Sequence, residues 1–269
     1  MPCPADSGKK KPMNSPPSPP TCPASVIVRN LSKTFKDRKR GAFKAVDDVS
    51  FEAKAGEIFG LLGVNGAGKT TTMRMLATML SPSGGDAELC GHSIRQAPEQ
   101  VRRNIGFMST ATSLYGRLTA REMVRYFGQL NGLDKQRMEV RIDELFTLFD
   151  MHDFADARCD KLSTGMKQKV SIVRTVLHDP PVMIFDEPTA GLDVLTSRTI
   201  VDFVRQCREQ GKCVLFSTHI MQEVEKLCDR VGVIHDGRLL ACEDTETLKA
   251  RAESGVIEDA FVALVEEAP

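Results

Sequence analysis

The sequence predicts an α/β fold in which a mixed sheet is flanked by helices, with an antiparallel β edge and an inserted α-helical subdomain. Short apolar runs at 57–62, 182–185 and 214–216 are typical of buried parallel strands, which have no polar face. Residues 117–158 carry helix start and stop signals instead. With 269 residues, the chain is long enough for one such domain around a well-buried core.

The first half of the α/β part is predicted from local patterns. Strands are expected to begin at Val26 and to cover Ala45–Ala53 and then 57–62. A glycine-rich turn follows the third strand, and a helix is predicted over Thr70–Leu80. Its apolar residues recur at i, i+3, i+4 and i+7, which places them on one face.

The predicted helical insertion begins at a capping box, formed by Thr119 and Glu122. This first helix should end near Gly132, and a second should cover Asp134–Phe149. A further strand is expected over Val231–Ile234, and the chain beyond the next turn is predicted to be helical.

Composition along the chain indicates its organisation. Residues 1–24 are rich in proline and polar residues and are predicted to form a disordered tail, because they cannot bury enough apolar surface to offset ordering. One α/β domain is expected over 25–242, with the helical subdomain at about 107–165. Residues 243–269 are predicted to be a helical C-terminal extension.

Charge and cysteine content exclude several classes of function. The 36 basic residues balance the 36 acidic ones, and tryptophan is absent, so nothing indicates a nucleic-acid partner. The eight cysteines form no C-x-x-C pair, which argues against a disulfide framework or a zinc site and predicts mostly buried thiols.

The sequence also predicts where the protein works. No apolar run approaches the ~20 residues that a membrane-spanning helix needs, and the N-terminus lacks the apolar core of a signal peptide. We therefore expect a cytoplasmic chain that reaches a membrane only through a partner.

The most specific motif is the segment GVNGAGKT at 63–70, which matches a phosphate-binding P-loop. Glycines allow backbone N–H groups to converge on a polyphosphate, and the following helix directs its positive end at the anion. Lys69 would contact the β and γ phosphates, and the Thr70 hydroxyl would bind Mg²⁺. The alternative is a glycine-rich turn with a chance lysine. The candidate nucleotide-binding residues here are Gly63, Val64, Asn65, Gly66, Ala67, Gly68, Lys69, Thr70 and Thr71.

Two carboxylates follow the apolar run at 182–185. Asp186 is a candidate Mg²⁺ ligand, directly or through water. Glu187 is then placed to act as general base on an attacking water. A pair of solvated charges is the plain alternative, but open α/β sheets bind ligands at the carboxyl ends of strands.

His219 follows a third apolar run and is a candidate catalytic residue that would hold the γ phosphate and the attacking water. A single histidine is more often structural or simply exposed. This assignment depends on the other two motifs.

These three motifs, in this order and with a helical insertion between the first two, resemble the ATPases of ABC transporters, which have a P-loop NTPase core. The resemblance covers about residues 25–242. Leu162–Met166 (LSTGM) stands where the family has its LSGGQ signature, and Ala190–Asp193 (AGLD) resembles the D-loop. Phe35 stands where the family stacks an aromatic ring on adenine.

The resemblance implies a mechanism with ATP and Mg²⁺ as cofactors. Two copies would pair head to tail as a homodimer and enclose two ATP molecules. Ser163 and Gly165 of one copy would contact the γ phosphate held by Lys69 of the other, and Asp193 would lie at the dimer interface. Hydrolysis of ATP would then weaken the dimer and drive a membrane partner.

The motifs also depart from the family pattern. The signature has Thr164 and Met166 where glycine and glutamine are usual. In the segment that corresponds to the Q-loop, Thr110 stands where a glutamine is expected. Because a threonine hydroxyl has a shorter reach, Thr110 is not assigned as a metal ligand.

The unusual signature and the segment after the D-loop resemble a subgroup, the ATPase subunits of sodium-efflux (NatA-like) and related ABC-2 type exporters. This resemblance implies a separate membrane-spanning permease as partner and a peripheral location on the cytoplasmic face of the membrane. Ser109–Arg121 would form the groove that receives the permease, although an ordinary surface loop remains an alternative.

A second class of function stays open: a soluble ABC ATPase that is not coupled to a permease, for example an assembly-type ATPase. The chain has no sustained heptad run of the DNA-repair type and only one ATPase unit, unlike translation factors. A third possibility, a regulatory protein with impaired ATPase activity, is disfavoured because the candidate site residues are intact: Lys69, Asp186, Glu187 and His219.

Overall fold

The computed structural model of the chain describes residues 25–37, 41–109 and 113–268. Over these ranges the strands are β1 (Val26–Asp37), β2 (Gly41–Ala53), β3 (Ile58–Leu62), β4 (Gly84–Leu89), β5 (His92–Ser93), β6 (Ile105–Ser109), β7 (Val182–Asp186), β8 (Cys213–Thr218), β9 (Arg230–His235) and β10 (Arg238–Asp244). The helices are α1 (Lys69–Leu76), α2 (Pro98–Asn104), α3 (Ala120–Leu130), α4 (Lys135–Leu148), α5 (Thr164–Val176), α6 (Val194–Glu209), α7 (Met221–Leu227), α8 (Thr245–Lys249) and α9 (Ile257–Glu266).

The strands form two sheets, which confirm the predicted fold class. The larger sheet has the order β10-β9-β3-β8-β7-β6, in which β9, β3, β8, β7 and β6 run parallel and β10 is antiparallel. The smaller sheet, of order β2-β1-β4-β5, is antiparallel throughout. The mixed sheet and the antiparallel β edge were both predicted from the sequence.

Two apolar cores cover the two faces of the larger sheet. In β7, Met183 and Phe185 belong to a core that also contains residues of helices α3 to α9, which we call the helix-side core. Val182 and Ile184 belong to the second core, which lies between the two sheets. Every residue of β7 is buried. This two-sided burial explains why the parallel strands appear as continuous apolar runs in the sequence.

The parallel register positions the functional site. Asp186 at the end of β7 pairs with Ser109 at the end of β6 and with Ser217 near the end of β8. The glycine-rich loop leaves β3, the next strand of the sheet, at the same edge. Polar residues that follow four separate apolar strands are thereby brought to one place.

Helix α1 is shorter than predicted. It ends at Leu76 and not at Leu80, because Thr78 adopts a left-handed φ of 57°. The N–H of Met79 donates to the carbonyl of Arg74, and the N–H of Thr78 donates to that of Met75. This is a Schellman arrangement, which satisfies the last helical carbonyls without a glycine.

The predicted capping box at the start of α3 is confirmed. The Thr119 hydroxyl accepts from the backbone N–H of Glu122 at 3.1 Å, and the Glu122 carboxylate accepts from the N–H of Thr119 at 2.9 Å. These bonds hold the pKa of Glu122 below its ordinary value. Helix α4 begins after Asp134, as expected. The boundaries of the helical subdomain stay a prediction.

The C-terminal part differs from the prediction in one element. Arg238–Asp244 forms β10, an antiparallel edge strand on β9, where only a turn and helices were expected. A register shift between Leu239 and Ala241 breaks its alternation of side chains, which explains why the pattern was missed. Helices α8 and α9 follow, and Phe261 and Leu264 of α9 are part of the helix-side core. The extension at 243–269 as a separate segment stays a prediction.

Some predictions fall on residues that the structure does not describe, namely the tail at 1–24 and Thr110. Five of the six cysteines within the described ranges are buried, as expected. None of the helices in the described part of the chain combines the length and apolar composition that crossing a bilayer requires.

The capping box predicts a measurable contribution to stability. We expect Thr119→Ala to lower the free energy of unfolding by about 1 kcal/mol, because it removes the acceptor for the N–H of Glu122. Thr119→Ser should retain most of that stability. Urea denaturation followed by circular dichroism measures the effect.

The matched control for this cap is Thr199→Ala, inside α6, where the hydroxyl donates to the carbonyl of Leu195. This change should be close to neutral, since the carbonyl is already used by the helix. An equal loss of stability in both variants would contradict the role of the cap.

His178 predicts a dependence of stability on pH. Its Nε2 lies 3.1 Å from the carbonyl oxygen of Ile105, so this nitrogen carries the proton. Its buried Nδ1 has no partner within the described ranges. Burial lowers the pKa of His178 below its ordinary 6.5; the hydrogen bond to Ile105 and the charge of Asp179 oppose this shift, and Lys212 adds to it. The unfolded chain therefore binds a proton before the folded chain does.

The contribution of His178 should be complete above about pH 6.5 and should be lost as pH falls from there through the lower folded pKa. We expect the urea midpoint of the wild type to fall between pH 7.5 and pH 5.5, and that of His178→Gln to fall less. His92→Gln, which removes a histidine on β5, is the control. Equal slopes in all three proteins would contradict this assignment.

Candidate functional site

The glycine-rich loop, residues 63–70, connects the end of β3 to the start of α1. Two of its glycines are required by the structure. A Cβ on Gly63 would overlap the carbonyl oxygen of Ile234 in β9. Gly68 has a φ of 111°, and a Cβ there would lie 2.7 Å from the carbonyl oxygen of Ala45. The loop is therefore packed tightly between β9 and β2, which fixes its path.

The side chain of Lys69 lies inside this loop and is only 3% exposed. Its ammonium donates to the carbonyl oxygens of Gly63 at 2.7 Å and Val64 at 3.2 Å. It also forms an ion pair with Glu187, with 3.1 Å between Nζ and Oε1. A cation surrounded by loop backbone is the arrangement that binds a polyphosphate, provided that the ammonium leaves the carboxylate.

Asp186 is buried, with 2% of its surface exposed, and three hydroxyls donate to it. Thr70 and Ser217 donate to Oδ1 at 3.1 Å and 2.8 Å, and Ser109 donates to Oδ2 at 3.0 Å. These bonds offset the cost of burying a carboxylate. The neighbouring oxygens of Thr70 and Asp186 are hard ligands of the kind that Mg²⁺ prefers, so the residues present fit this metal.

Glu187, which directly follows β7, has an unusual backbone conformation. Its φ of 50° is left-handed, which is rare for a residue with a side chain and concentrates at functional sites. The N–H of Glu187 donates to the carbonyl and the hydroxyl oxygens of Ser217, at 3.2 Å and 3.1 Å. Its Oε1 lies 3.1 Å from Lys69 and 3.4 Å from Nδ1 of His219. One carboxylate oxygen therefore connects Lys69 and His219.

A cavity of about 230 Å³ opens onto these groups. Its lining residues are Ala45, Asn65, Gly66, Gly68, Lys69, Thr70, Thr71, Asp186 and Glu187. All of them except Ala45 were predicted from the sequence. Among the other predicted loop residues, Ala67 is buried in the core between the sheets, and Val64 is exposed beside the cavity.

Phe35 lies on β1 and packs against Phe43 of β2. Their ring centroids are 5.7 Å apart, and the two residues are paired in the strand register. Phe43 is exposed and precedes Ala45 by two residues, so both point to the same face of β2. The predicted adenine platform thus belongs to an aromatic pair beside the strand that lines the cavity. Sequence reasoning missed Phe43.

The signature and D-loop residues form a second cluster. Ser163 caps α5 by accepting from the N–H of Met166 at 3.3 Å. Gly165 faces the start of α6, since a Cβ on it would lie 3.8 Å from Oδ2 of Asp193. Asp193 caps α6, and hydrogen bonds from Thr196 hold its pKa below the ordinary value. These three predicted residues lie together, at a place different from the cavity lining.

Three further residues were missed. Ser109 and Ser217 donate to Asp186, and Gln168 of α5 donates through Nε2 to the carbonyl of Pro188 at 2.6 Å. The signal for the serines was present, because a polar residue closes the apolar strand on each side of β7. Nothing in the sequence alone shows that Gln168 connects the signature helix to the segment after Glu187.

The arrangement can bind and cleave a nucleoside triphosphate. The loop amides and Lys69 suit a chain of phosphates, and Thr70 and Asp186 suit a magnesium ion. Glu187 lines the cavity and is available as general base for an attacking water; His219 is not part of the lining and lies 3.4 Å from the Glu187 carboxylate.

Comparison with known protein families agrees with this chemistry. A family model described as ABC transporter matches residues 46–190, more than half of the chain. The ABC transporter ATP-binding protein NatA of Bacillus subtilis is 43% identical over 80% of this chain and 87% of its own length. The Nod factor export ATP-binding protein I of Burkholderia lata is 36% identical over 81% of this chain and 70% of its own length.

Solved structures show the same fold. An ATP-binding subunit of an ABC transporter superposes with a TM-score of 0.79 at 30% identity, covering 89% of this chain and 99% of that chain. An ATP-binding cassette in a dimeric post-hydrolysis state, bound to ADP and Pi, gives 0.75 at 25% identity over 81% of this chain and 98% of its own. The chain therefore belongs to the ABC transporter family and is an ATPase of that family.

Proposed function

We propose that this chain is the ATP-hydrolysing subunit of a membrane exporter whose spanning part is a separate permease. The observation that carries the proposal is the convergence of Lys69, Thr70, Asp186 and Glu187 on one cavity at the loop between β3 and α1. ATP and Mg²⁺ are the proposed cofactors.

The proposed mechanism begins with an exchange of partners at Lys69. The ammonium leaves Glu187 and the loop carbonyls to contact the β and γ phosphates, while the loop amides hold the phosphate chain. Thr70 and Asp186 would hold Mg²⁺, which neutralises charge on the phosphates when it is bound.

The same exchange frees Glu187 for catalysis. Its carboxylate then accepts a proton from the water that attacks the γ phosphorus, while His219 orients that water and contacts the γ phosphate. The bond between the γ phosphorus and the bridging oxygen breaks, and ADP and inorganic phosphate leave. Because Oε1 of Glu187 lies within 3.4 Å of His219 in the chain as it stands, both groups are near the place where the water must enter.

A homodimer is proposed because the predicted residues form two clusters in one chain. Ser163, Gly165 and Asp193 lie at the starts of α5 and α6, whereas Lys69, Asp186 and Glu187 line the cavity. In a head-to-tail pair, Ser163 and Gly165 of one copy would contact the γ phosphate bound by the other, and Asp193 would lie at the interface. The dimeric ATP-binding cassette at 25% identity supports this arrangement.

The permease is proposed to bind at Ser109–Arg121, the segment between the last residue of β6 and the first two residues of α3. Within the described part of this segment, Tyr115 is exposed and Leu118 packs against the helix-side core. An exposed aromatic ring close to a leucine that packs against the core supports this proposal. Binding there would place the chain on the cytoplasmic face of the membrane as a peripheral subunit.

The cargo is proposed from resemblance alone. Sodium efflux is our first candidate, and the relative NatA supports it most. Another relative is named for export of Nod factor, so the same type of ATPase serves different cargoes. The alternative function is a soluble ABC ATPase without a permease. Co-purification with a membrane protein encoded next to this chain, and stimulation of hydrolysis by sodium or another cargo, would favour export.

Lys69→Ala tests the nucleotide site. Removal of the ammonium should lower kcat/KM for Mg-ATP by about 100-fold or more, the effect typical of losing one group that stabilises the transition state. Phosphate release and equilibrium dialysis with labelled ATP measure hydrolysis and binding. Lys249→Ala, on α8, is the control and should resemble the wild type. Unchanged turnover in Lys69→Ala would refute the site.

Glu187→Gln tests the general base and the homodimer together. Hydrolysis should fall by about 100- to 1,000-fold, since an amide accepts no proton. With Mg-ATP present, light scattering after size exclusion should show a dimer, because the bound ATP is not consumed. Glu209→Gln, exposed on α6, should keep full activity. A variant that binds Mg-ATP yet stays monomeric would count against the paired arrangement.

A further inference from the structure

The side chain of Ser109 contacts Asp186, which lines the cavity, and the hydrolysis proposed above does not use it. It ends β6, is 2% exposed and donates to Oδ2 of Asp186 at 3.0 Å. The register of β6 and β7 pairs these two residues directly. The contact is thus built by the sheet and does not depend on a surface loop.

The hydroxyl of Ser109 donates to Oδ2 of Asp186, the carboxylate oxygen to which the other two hydroxyls do not donate. Thr70 and Ser217 both donate to Oδ1. With a bond on each oxygen, the carboxyl group cannot rotate about its last torsion without losing a hydrogen bond. The loss of a hydrogen bond to a buried carboxylate costs free energy, because no water replaces the missing donor.

The serine also stands beside the position where the family resemblance expects a glutamine. The residue at that position is Thr110, whose side chain is shorter. Strand β6 nevertheless brings a polar group to Asp186, one residue earlier and from a buried position.

We propose that Ser109 is a positioning residue for the metal-binding carboxylate Asp186. By holding Oδ2, it directs Oδ1 towards the side on which Thr70 lies, where a magnesium ion would be bound. Groups that hold a metal ligand in place typically change metal affinity by about 10- to 100-fold when they are removed. The inference rests on the proposed Mg-ATP function.

The test is Ser109→Ala, read out on metal binding as well as on activity. Mn²⁺ serves as the probe, and its binding to the protein in the presence of a non-hydrolysable ATP analogue is followed by electron paramagnetic resonance. We expect the dissociation constant of Mn²⁺ to rise by about 10-fold. Affinity for the analogue in EDTA should stay within about 2-fold of wild type, because Lys69 and the loop are untouched.

Two further variants separate positioning from packing. Ser109→Cys keeps the volume but replaces the strong donor with a weak one, so it should weaken Mn²⁺ binding even if the alanine variant folds poorly. Ser109→Thr keeps the hydroxyl and should restore most of the affinity. Ser171→Ala, which removes a buried hydroxyl on α5, is the matched control and should bind Mn²⁺ like the wild type.

The outcomes distinguish the inference from the proposed function. If the wild type binds Mn²⁺ with the analogue and the alanine and cysteine variants bind it equally well, the role of Ser109 is refuted and the Mg-ATP site stands. A parallel loss of metal-free analogue affinity would indicate a general structural defect and also overturn the proposal. If the wild type binds neither Mn²⁺ nor the analogue, the proposed function itself fails, and the inference with it.

Discussion

A carboxylate buried at the end of β7 is the constraint on which the rest of the site depends. Asp186 can be charged in the interior only if its oxygens are hydrogen-bonded, and three hydroxyls from β6, α1 and β8 provide those bonds. The parallel register supplies two of them directly. The sheet therefore does more than support the site, because its strand order determines which side chains meet the carboxylate.

The second constraint is the shared partner of Lys69 and His219. Both lie against one oxygen of Glu187, so the ammonium that would bind phosphate and the carboxylate that would activate water are paired with each other. We infer that binding of a triphosphate has to separate them. One event would then place the cation on the phosphates and free the base, which would keep Glu187 from acting before the phosphate chain is in place.

Sequence patterns predicted the parts of this protein in which local chemistry decides the structure. Strand β7 could be predicted because its burial on both faces requires a continuous apolar run, Val182–Phe185. The capping box at Thr119 could be predicted because its two partners are only three residues apart in the sequence. The glycine-rich loop was readable because its backbone tolerates few other residues. Eight of the nine residues lining the cavity were predicted: six from this loop and the start of α1, and two, Asp186 and Glu187, as carboxylates that follow an apolar strand.

The features that were missed depend on distant parts of the chain. Ser217 donates a hydrogen bond to Asp186, which is 31 residues away in the sequence, and Gln168 donates to Pro188, which is 20 residues away. No local sequence pattern indicates such contacts. Helix α1 was predicted too long because Thr78, and not glycine, takes the left-handed position that ends it. Strand β10 was missed because a register shift disrupts its alternation. Ala45 was missed as a cavity residue because it lies on β2, and its close contact with Gly68 is visible only in the folded structure.

We propose above all that the loop after β3 and the carboxylate at the end of β7 together bind a metal–triphosphate complex. A crystal structure of the chain with Mn²⁺ and a non-hydrolysable ATP analogue, with anomalous diffraction used to locate the metal, tests it most directly. We predict an anomalous peak beside Thr70 and Asp186, with the Lys69 ammonium on the phosphates and no longer on Glu187. A metal or triphosphate bound away from this loop, or Lys69 still paired with Glu187 in the complex, would contradict the account.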